Sequence, residues 1–205
     1  YTFTAAPPPG SPWAVTNLYN VAFTGDTSVT LTLASPVTLS GRVLDPLGSG
    51  LPNQTIGIAP WGTSNWIYQT TDSSGNYSFQ VAPGDYQLYV YAYNYPSAGL
   101  NAPASYYLYN SNDSPLSLTA STAMNITLPA KRVRVRVQDP AGNPVANVTL
   151  TTNDSYNPNL MLGTLAADGY SSYPSWLPPP ATNASGDVDL WLFPNGPYNT
   201  YTFTA

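Results

Sequence analysis

Apolar and polar residues alternate with a period of two along much of the chain, and glycine, proline or asparagine interrupts the alternation at short intervals. The stretch 77–81 reads Tyr-Ser-Phe-Gln-Val, and 188–192 reads Val-Asp-Leu-Trp-Leu. A period of two places alternate side chains on one face of a strand. The pattern predicts an all-β chain of short strands, with an apolar face on each and essentially no helix.

The composition supports this prediction. Charged residues make up 7% of the chain, all ten acidic residues are aspartate, and there are 22 prolines. Long charged side chains favour helices, and proline is excluded from the interior of helices and central strands. Helix is therefore not expected anywhere in the chain.

The chain contains an internal repeat. Segments 42–56 and 136–150 align without a gap at an offset of 94 residues, and each contains an Asp-Pro-x-Gly turn. Segments 71–81 and 182–192 form a second matching pair. Aspartate in such turns accepts hydrogen bonds from nearby backbone N–H groups, and we expect this role for three residues. They are Asp45, Asp72 and Asp139.

The two ends of the chain carry the same pentapeptide, Tyr-Thr-Phe-Thr-Ala, at 1–5 and 201–205. The alternation at 29–33 also resembles the stretch 125–128. We therefore expect the chain to be cut from a longer repetitive protein with a period of about 200 residues. The predicted division is a first sandwich unit at 37–130, the beginning of a second at 131–205, and, at 1–36, the end of a second-type unit that completes 131–205 of the preceding copy.

Three motifs of the first unit resemble the carboxypeptidase regulatory-like domain, a prealbumin-type (transthyretin-like) β-sandwich. The resemblance covers about 37–95 well and 131–205 moderately, where Pro194, Gly196 and Tyr198 answer Pro83, Gly84 and Tyr86 with one extra residue. That extra residue leaves the register of the last strand open. The resemblance implies tandem Ig-like or prealbumin-like sandwiches and no activity. The matching residues are Gly41, Val43, Asp45, Gly48, Leu51, Thr71, Asp72, Gly75, Tyr77, Phe79, Pro83, Gly84, Tyr86, Leu88, Val90 and Ala92.

The residue types exclude most chemistry. The chain has no histidine and no cysteine, which removes the usual catalytic triads and most zinc sites. Asp187 and Asp189 share one strand face, but Ca²⁺ needs six to eight oxygen ligands, so a solvated face is favoured. We expect no enzyme, no cofactor and no metal. The net charge of −5 argues against nucleic acid, and no apolar run is long enough for a membrane span.

Seven Asn-x-Ser/Thr sequons favour N-glycosylation, and hence an extracellular or cell-surface location, over a mere richness in these residues. Asn53 and Asn147 are the best candidates because they occupy equivalent positions after the two Asp-Pro-x-Gly turns. The chain opens on Tyr1 without a signal-peptide pattern, so we expect it to be processed or cut from a longer chain. The sequons are at Asn53, Asn76, Asn112, Asn125, Asn147, Asn153 and Asn183.

Two surfaces are candidates for contacts. By the family register, Tyr89, Tyr91 and Tyr93 face away from the core, and Phe3 and Tyr201 suggest a similar face on the second unit. Such a face packs against a neighbouring copy, which we favour, or stacks on sugar rings. The cationic stretch 131–136 is either a solvated strand face or a contact with an acidic neighbour or anionic glycan.

These observations predict a structural repeat or subunit of a secreted filament, stalk or adhesin shaft. The expected partners are copies of the chain itself and glycans, and no cofactor is expected. Successive copies are joined either by covalent continuation, which we favour, or by strand donation between subunits. The alternative is an accessory carbohydrate-binding module of a secreted polysaccharide-degrading enzyme.

Overall fold

A computed structural model describes residues 1–9, 11–93, 101–197 and 199–205 of the chain. These residues form strands, turns and extended segments and include no helix, which confirms the predicted all-β fold. The strands are β1 (Phe3–Ala5), β2 (Thr16–Leu18), β3 (Val37–Leu44), β4 (Thr55–Pro60), β5 (Ile67–Thr70), β6 (Asn76–Val81), β7 (Gly84–Ala92), β8 (Ser105–Asn110), β9 (Leu116–Leu118), β10 (Thr122–Ala123), β11 (Ile126–Thr127), β12 (Lys131–Arg136), β13 (Thr151–Thr152), β14 (Ser155–Leu162), β15 (Leu165–Ser172), β16 (Asp187–Leu192) and β17 (Phe203–Thr204).

The first unit buries its core between two sheets. In one sheet, β3 pairs with β6 in antiparallel orientation, and β10 and β11 pair with β3 in parallel orientation. In the other, β7 lies between β4 and β8, with β5 outside β4. The inward residues of both sheets, among them Leu39, Phe79, Ile58 and Leu88, are buried in a single cluster.

The second unit is built from fewer paired strands. β12 pairs with β16 and β13 pairs with β17, both in antiparallel orientation. A separate apolar cluster contains Leu150, Tyr173, Val188, Leu190 and Leu192. Val133 and Val135 on β12, and Val137 just after it, are only partly buried against this cluster.

A hairpin from the second half of the chain extends the sheet of the first unit. β14 pairs with β15, and β15 pairs with β8, so that seven strands form one sheet. Leu160, Leu162 and Ala167 of this hairpin are part of the first core. The sequence carried no clear signal for the hairpin because Pro158 and a register shift between Asn157 and Leu160 interrupt the alternation.

The N-terminal segment forms a small sheet of its own, in which β1 pairs with β2. The register sets Phe3 opposite Leu18 and Ala5 opposite Thr16. Residues 29–33 lie outside the strands, and their half-buried apolar side chains alternate with exposed threonines.

Candidate assembly interface

The two Asp-Pro-x-Gly turns are built from the same hydrogen bonds. Asp45 Oδ1 accepts the N–H groups of Leu47 and Ser49 at 2.9 and 2.8 Å. Asp139 Oδ1 accepts the N–H groups of Ala141 and Asn143 at 2.9 and 2.8 Å. Asp72 Oδ1 does the same for Ser74 and Asn76. The predicted role of the three aspartates in the turns is confirmed.

A buried threonine then fastens each turn to the rest of its unit. The Thr71 hydroxyl donates to the Leu51 carbonyl at 2.7 Å and accepts the N–H of Gln54 at 2.9 Å. The Thr182 hydroxyl donates to the Val145 carbonyl at 2.8 Å and accepts the N–H of Val148 at 3.0 Å. The two halves of the chain thus repeat a local geometry as well as a sequence.

A tyrosine hydrogen bond fixes the position of the last strand in each unit. The Tyr86 hydroxyl donates to the carbonyl of Ala82, and the Tyr201 hydroxyl donates to the carbonyl of Phe193. Both carbonyls belong to the residue that precedes the proline of the motif. Tyr201 therefore stands in the position of Tyr86, which the alignment had given to Tyr198, a residue outside the described part of the chain.

The loop before Tyr201 is longer than its counterpart, and sequence spacing alone could not reveal where the strand resumes. The Tyr201 hydroxyl also pairs with Ser171 Oγ at 2.7 Å, and its ring packs against the second core. Burial raises the pKa of Tyr201 to about 12. Tyr201 is thus held within its own unit.

One edge of β12 is open. Within the described part of the chain β12 pairs with β16 alone, whereas the corresponding strand β3 is paired on both edges. The N–H of Val137 donates to the Gly186 carbonyl, so alternate residues face β16. The peptide groups of Arg132, Arg134 and Arg136 face the open edge, since successive residues of a strand point their N–H and C=O groups to opposite sides.

The side chains of β12 and β16 form a ladder of ion pairs. Arg134 makes two parallel hydrogen bonds to Asp189 at 2.8 and 2.9 Å, and Arg136 makes two to Asp187 at 2.8 and 3.0 Å. The hydrogen bonds from Arg136 and Arg134 lower the pKa values of Asp187 and Asp189, respectively. Sequence reasoning identified both sets of residues but did not pair them, because strand pairing is not visible in a single sequence.

The outer face of the seven-stranded sheet carries a continuous aromatic surface, here called the aromatic face. Tyr89 lies 4.4 Å from Trp66 and 5.0 Å from Tyr107 between ring centroids. Tyr107 stacks on Tyr170 of the hairpin β14–β15 at 5.7 Å, so the face crosses from the first half of the chain to the second. Its members are Trp66, Tyr68, Tyr89, Tyr91, Tyr93, Tyr107, Tyr109 and Tyr170.

The aromatic face contains three of the five aromatic candidates from the sequence. Tyr89 is buried by its neighbours, Tyr91 is half-buried and Tyr93 is 54% exposed. Phe3 lies on β1 and Tyr201 on the second core, away from this surface. Burial raises the pKa values of Tyr109 and Tyr170 to about 12, and raises those of Tyr89 and Tyr107 further. The face is therefore a neutral, hydroxyl-bearing surface.

A cleft of about 910 Å³ lies between the N-terminal segment and the first unit. Thr4 and Tyr19 line it on one side, and Trp61, Trp66 and Asp85 on the other. The Tyr19 hydroxyl is buried and has no hydrogen-bond partner among the described residues. The cleft thus separates two parts of the chain that the sequence assigns to different units.

All seven sequon asparagines are exposed. Asn53 and Asn147 both have positive φ, 57° and 61°, at matching points after the turns. By contrast, both ends of the Asn153 side-chain amide are hydrogen-bonded. Its Nδ2 donates to the carbonyls of Asp154 and Thr200, and its Oδ1 accepts the N–H of Thr202. The candidates therefore differ in how free their side chains are.

The described residues contain no group of three or more acidic side chains that could hold a metal ion. No helix in this part of the chain is long and apolar enough to cross a membrane.

No curated protein sequence matches the chain. Among solved structures, it is similar to a DUF3823 family protein from Parabacteroides merdae, with 14% identity over 77% of this chain and 80% of that one and a TM-score of 0.33. It is also similar to a streptococcal ancillary pilin, with 12% identity over 93% of this chain and 61% of that one and a TM-score of 0.30.

A third similar structure is a shaft pilin from Lactobacillus rhamnosus GG, with 9% identity over 82% of this chain and 91% of that one and a TM-score of 0.30. Similarity at this level says nothing about what the chain binds or builds. Over part of its length the chain does match a known family. Residues 38–128 match the carboxypeptidase regulatory-like domain, which confirms the resemblance predicted from the motifs of the first unit.

Proposed function

We propose that the chain is a structural repeat or subunit of a secreted filament, stalk or adhesin shaft. In this assembly, residues 6–36 of one copy complete the sandwich formed by 131–205 of the preceding copy. The chain carries out no reaction, and its partners are copies of itself and glycans attached to exposed sequons. A cell-surface location is supported by those sequons.

The observation that carries the proposal is that the two copies of the pentapeptide form their hydrogen bonds on opposite edges. At 201–205, β17 pairs with β13, and just beyond this pairing the N–H of Thr202 donates to the side-chain Oδ1 of Asn153. At 1–5, Tyr1 exchanges both of its backbone hydrogen bonds with Val21, beyond β2. Successive residues of a strand point their N–H and C=O groups to opposite sides. The first position of the pentapeptide, Tyr1, and the second position, Thr202, therefore form hydrogen bonds on different edges.

If the two copies of the pentapeptide are one strand, that strand lies between β13 and β2. This is the arrangement of the first unit, where β7 lies between β4 and β8. A second-type unit built in this way regains the sheet that β13 and β17 begin. The cleft lined by Tyr19 and Trp66 then becomes the junction between consecutive units.

The seven-stranded sheet supports a shaft rather than a flexible tether. β15 pairs with β8 over six residue pairs, from Ala167 opposite Asn110 to Ser172 opposite Ser105. The first unit and the hairpin of the second are therefore joined by a backbone ladder, which resists bending about a linker. The period of about 200 residues would then be a stiff segment of the assembly.

The experiment that tests the proposal is the assembly state of the purified chain. We expect linear oligomers of the full chain by light scattering and negative-stain electron microscopy, and loss of assembly when residues 1–36 are deleted. Deletion of 1–5 alone is the matched control for covalent continuation, because 201–205 can supply the shared strand. A full chain that stays monomeric at every concentration, with no gain in stability when two copies are joined through one pentapeptide, contradicts the proposal.

The aromatic face supports a second candidate, a carbohydrate-binding module. The rings of Tyr91 and Tyr93 lie 5.1 Å apart between centroids at an angle of 49°, and such neighbouring aromatic rings with hydroxyl groups can stack on pyranose rings. Affinity electrophoresis in soluble polysaccharides tests it with Tyr91→Ala, and Ile67→Ala, which removes an exposed apolar side chain from β5, serves as control. Binding that only Tyr91→Ala weakens favours this candidate.

A further inference from the structure

We propose that residues 29–33 of the following copy add to the open edge of β12 as a parallel strand, in the register that sets Leu31 opposite Val137 and Thr32 opposite Gln138. This inference rests on the proposed function, because it names the contact through which one copy completes another. It assigns an interaction surface, the edge of β12, and its occupant, a segment of a second copy of this chain.

The first unit contains the arrangement in finished form. The N–H of Met124 donates to the Ser40 carbonyl at 2.8 Å, and the N–H of Leu128 donates to the Leu44 carbonyl at 2.9 Å. Between them, β11 sets Ile126 opposite Val43 in parallel register. The segment 122–128 thus covers one edge of β3 and places alternate side chains in the core.

The second unit has the corresponding carbonyl acceptors, and within the described part of the chain they accept no hydrogen bond. Shifted by the 94-residue offset of the repeat, Ser40 and Leu44 correspond to Arg134 and Gln138. The peptide groups of these residues lie on the open edge and have no partner within the described part of the chain. The isolated bridge of Gln138 to Pro144 repeats that of Leu44 to Gly50, so the edge continues to the turn in both units.

The second core also lacks the side chains that such a strand supplies. Met124, Ile126 and Leu128 are 7%, 0% and 1% exposed in the first core. In the second, Val133, Val135 and Val137 are only partly buried, and no equivalent of those three side chains packs against them among the described residues. An apolar strand face left partly exposed favours burial against a further apolar strand.

Residues 29–33 have the pattern that the edge requires. Val29, Leu31 and Leu33 alternate with two exposed threonines, and the segment belongs to no strand of the chain. Aligned by Thr-Leu at 32–33 and 127–128, these apolar residues take the positions of Met124, Ile126 and Leu128. The segment follows β2 along the chain as 122–128 follows β8, so the order of elements is also the same.

One difference defines how the added strand runs. In the first unit the Met124 carbonyl bends over Gly41, where an added Cβ would lie 1.9 Å from that oxygen. The corresponding residue of the second unit is Val135, which carries the Cβ that Gly41 lacks. The strand on β12 therefore passes Val135 without the inward bend, and the Val29 carbonyl stays in the backbone ladder.

Because the chain has no cysteine, single introduced cysteines test the register directly. Full chains carrying Thr32→Cys are mixed with full chains carrying Gln138→Cys and oxidised under conditions in which the unmodified chain assembles. Both positions are exposed and leave the apolar face intact. The control replaces Gln138→Cys by Arg134→Cys, four residues or about 13 Å along the strand, beyond the reach of a disulfide at about 7 Å between Cα atoms.

For copies joined covalently, the same pairs are placed across a two-copy chain that shares one pentapeptide, with Thr32→Cys in the second copy. We expect a cross-link with Gln138→Cys and none with Arg134→Cys. Equal cross-linking at both positions, or none at either in a chain that assembles, overturns this inference and leaves the proposed function standing. A chain that fails to assemble in any form overturns both.

Discussion

At the scale of single residues, an aspartate carboxylate holds the Asp-Pro-x-Gly turn of each unit. The Asp45 side chain is buried at 1% exposure, and its carboxylate accepts two backbone N–H groups and the Asn101 amide at 2.6 Å. The equivalent Asp139 is half-buried, and the hydrogen bonds that it accepts in the same turn are exposed to solvent. The hydrogen bonds to Asp45 are partly shielded from water and those to Asp139 are not, so water compensates less well for the loss of the Asp45 carboxylate.

Replacing Asp45→Ala is therefore expected to lower the free energy of unfolding by about 1–3 kcal/mol. Asp139→Ala, the matched change in the exposed turn, is expected to cost clearly less because water can bond the freed N–H groups. Urea unfolding followed by tryptophan fluorescence measures both. Equal losses for the two variants would show that burial of the turn does not govern its contribution.

Glycan attachment also depends on single side chains. Asn53, Asn112 and Asn147 are exposed, and their side-chain amides make no hydrogen bond within the described part of the chain. The Asn153 amide nitrogen donates to two carbonyls, which an attached sugar would disrupt. Glycopeptide mass spectrometry of the exported protein is expected to find higher occupancy at the first three sites than at Asn153. Full occupancy at Asn153 would contradict this order.

At the scale of elements, local patterns were predictable and pairings were not. The alternation at 77–81 and 188–192 correctly gave strands, because the period of a strand is written in neighbouring residues. The aspartate turns were predictable for the same reason. The ion pairs between Arg134 and Asp189, 55 residues apart, depend on which strands meet, and only coordinates supply this. The hairpin 155–172 was missed since its proline and bulge interrupt the period.

The ladder of ion pairs on β12 and β16 makes the second unit sensitive to acid. Hydrogen bonds from the arginines lower the pKa values of Asp187 and Asp189 below the ordinary 3.8. Carboxylates with lowered pKa stabilise the folded state above the unfolded pKa, and that stabilisation is lost as the pH falls through the folded pKa. We expect the stability of the second unit to fall below about pH 3.8.

Thermal unfolding as a function of pH checks this expectation. The double variant Asp187→Asn and Asp189→Asn should lose part of the acid dependence, and Asp113→Asn, which makes no ion pair within the described residues, should retain it. An unchanged acid dependence in the double variant would assign the acid sensitivity to other groups.

At the scale of the whole molecule, the aromatic face spans both halves of the chain. Burial raises the pKa values of Tyr109 and Tyr170 from 10.0 to about 12. A raised tyrosine pKa stabilises the folded state fully below the unfolded pKa, and this contribution is lost as the pH rises through the folded value. Unfolding in alkali is therefore expected between pH 10 and 12, with tyrosinate absorbance and loss of circular dichroism rising together. Tyrosinate absorbance that rises fully near pH 10 in folded protein would contradict the burial of this face.

The proposed organisation of the whole molecule depends on completion of the second unit by a neighbouring copy. We propose that completion by a neighbouring copy explains the open edge of β12, its partly buried valines and the opposite hydrogen-bonded edges of the two pentapeptide copies. Because peptide N–H groups in a ladder exchange slowly and those on a free edge exchange quickly, hydrogen exchange reports the completion without depending on assembly into long fibres.

The most direct test is hydrogen exchange, read by mass spectrometry, of the peptide covering 131–138 in a chain of two copies that share one pentapeptide. Only the first copy is followed by another, so we expect two populations of this peptide in equal amounts. One has the Arg136 and Gln138 amides protected, because their N–H groups face the carbonyls of the added strand 29–33, and the other exchanges as in the single chain. A single population that exchanges as fast as in the single chain would contradict completion by the neighbouring copy.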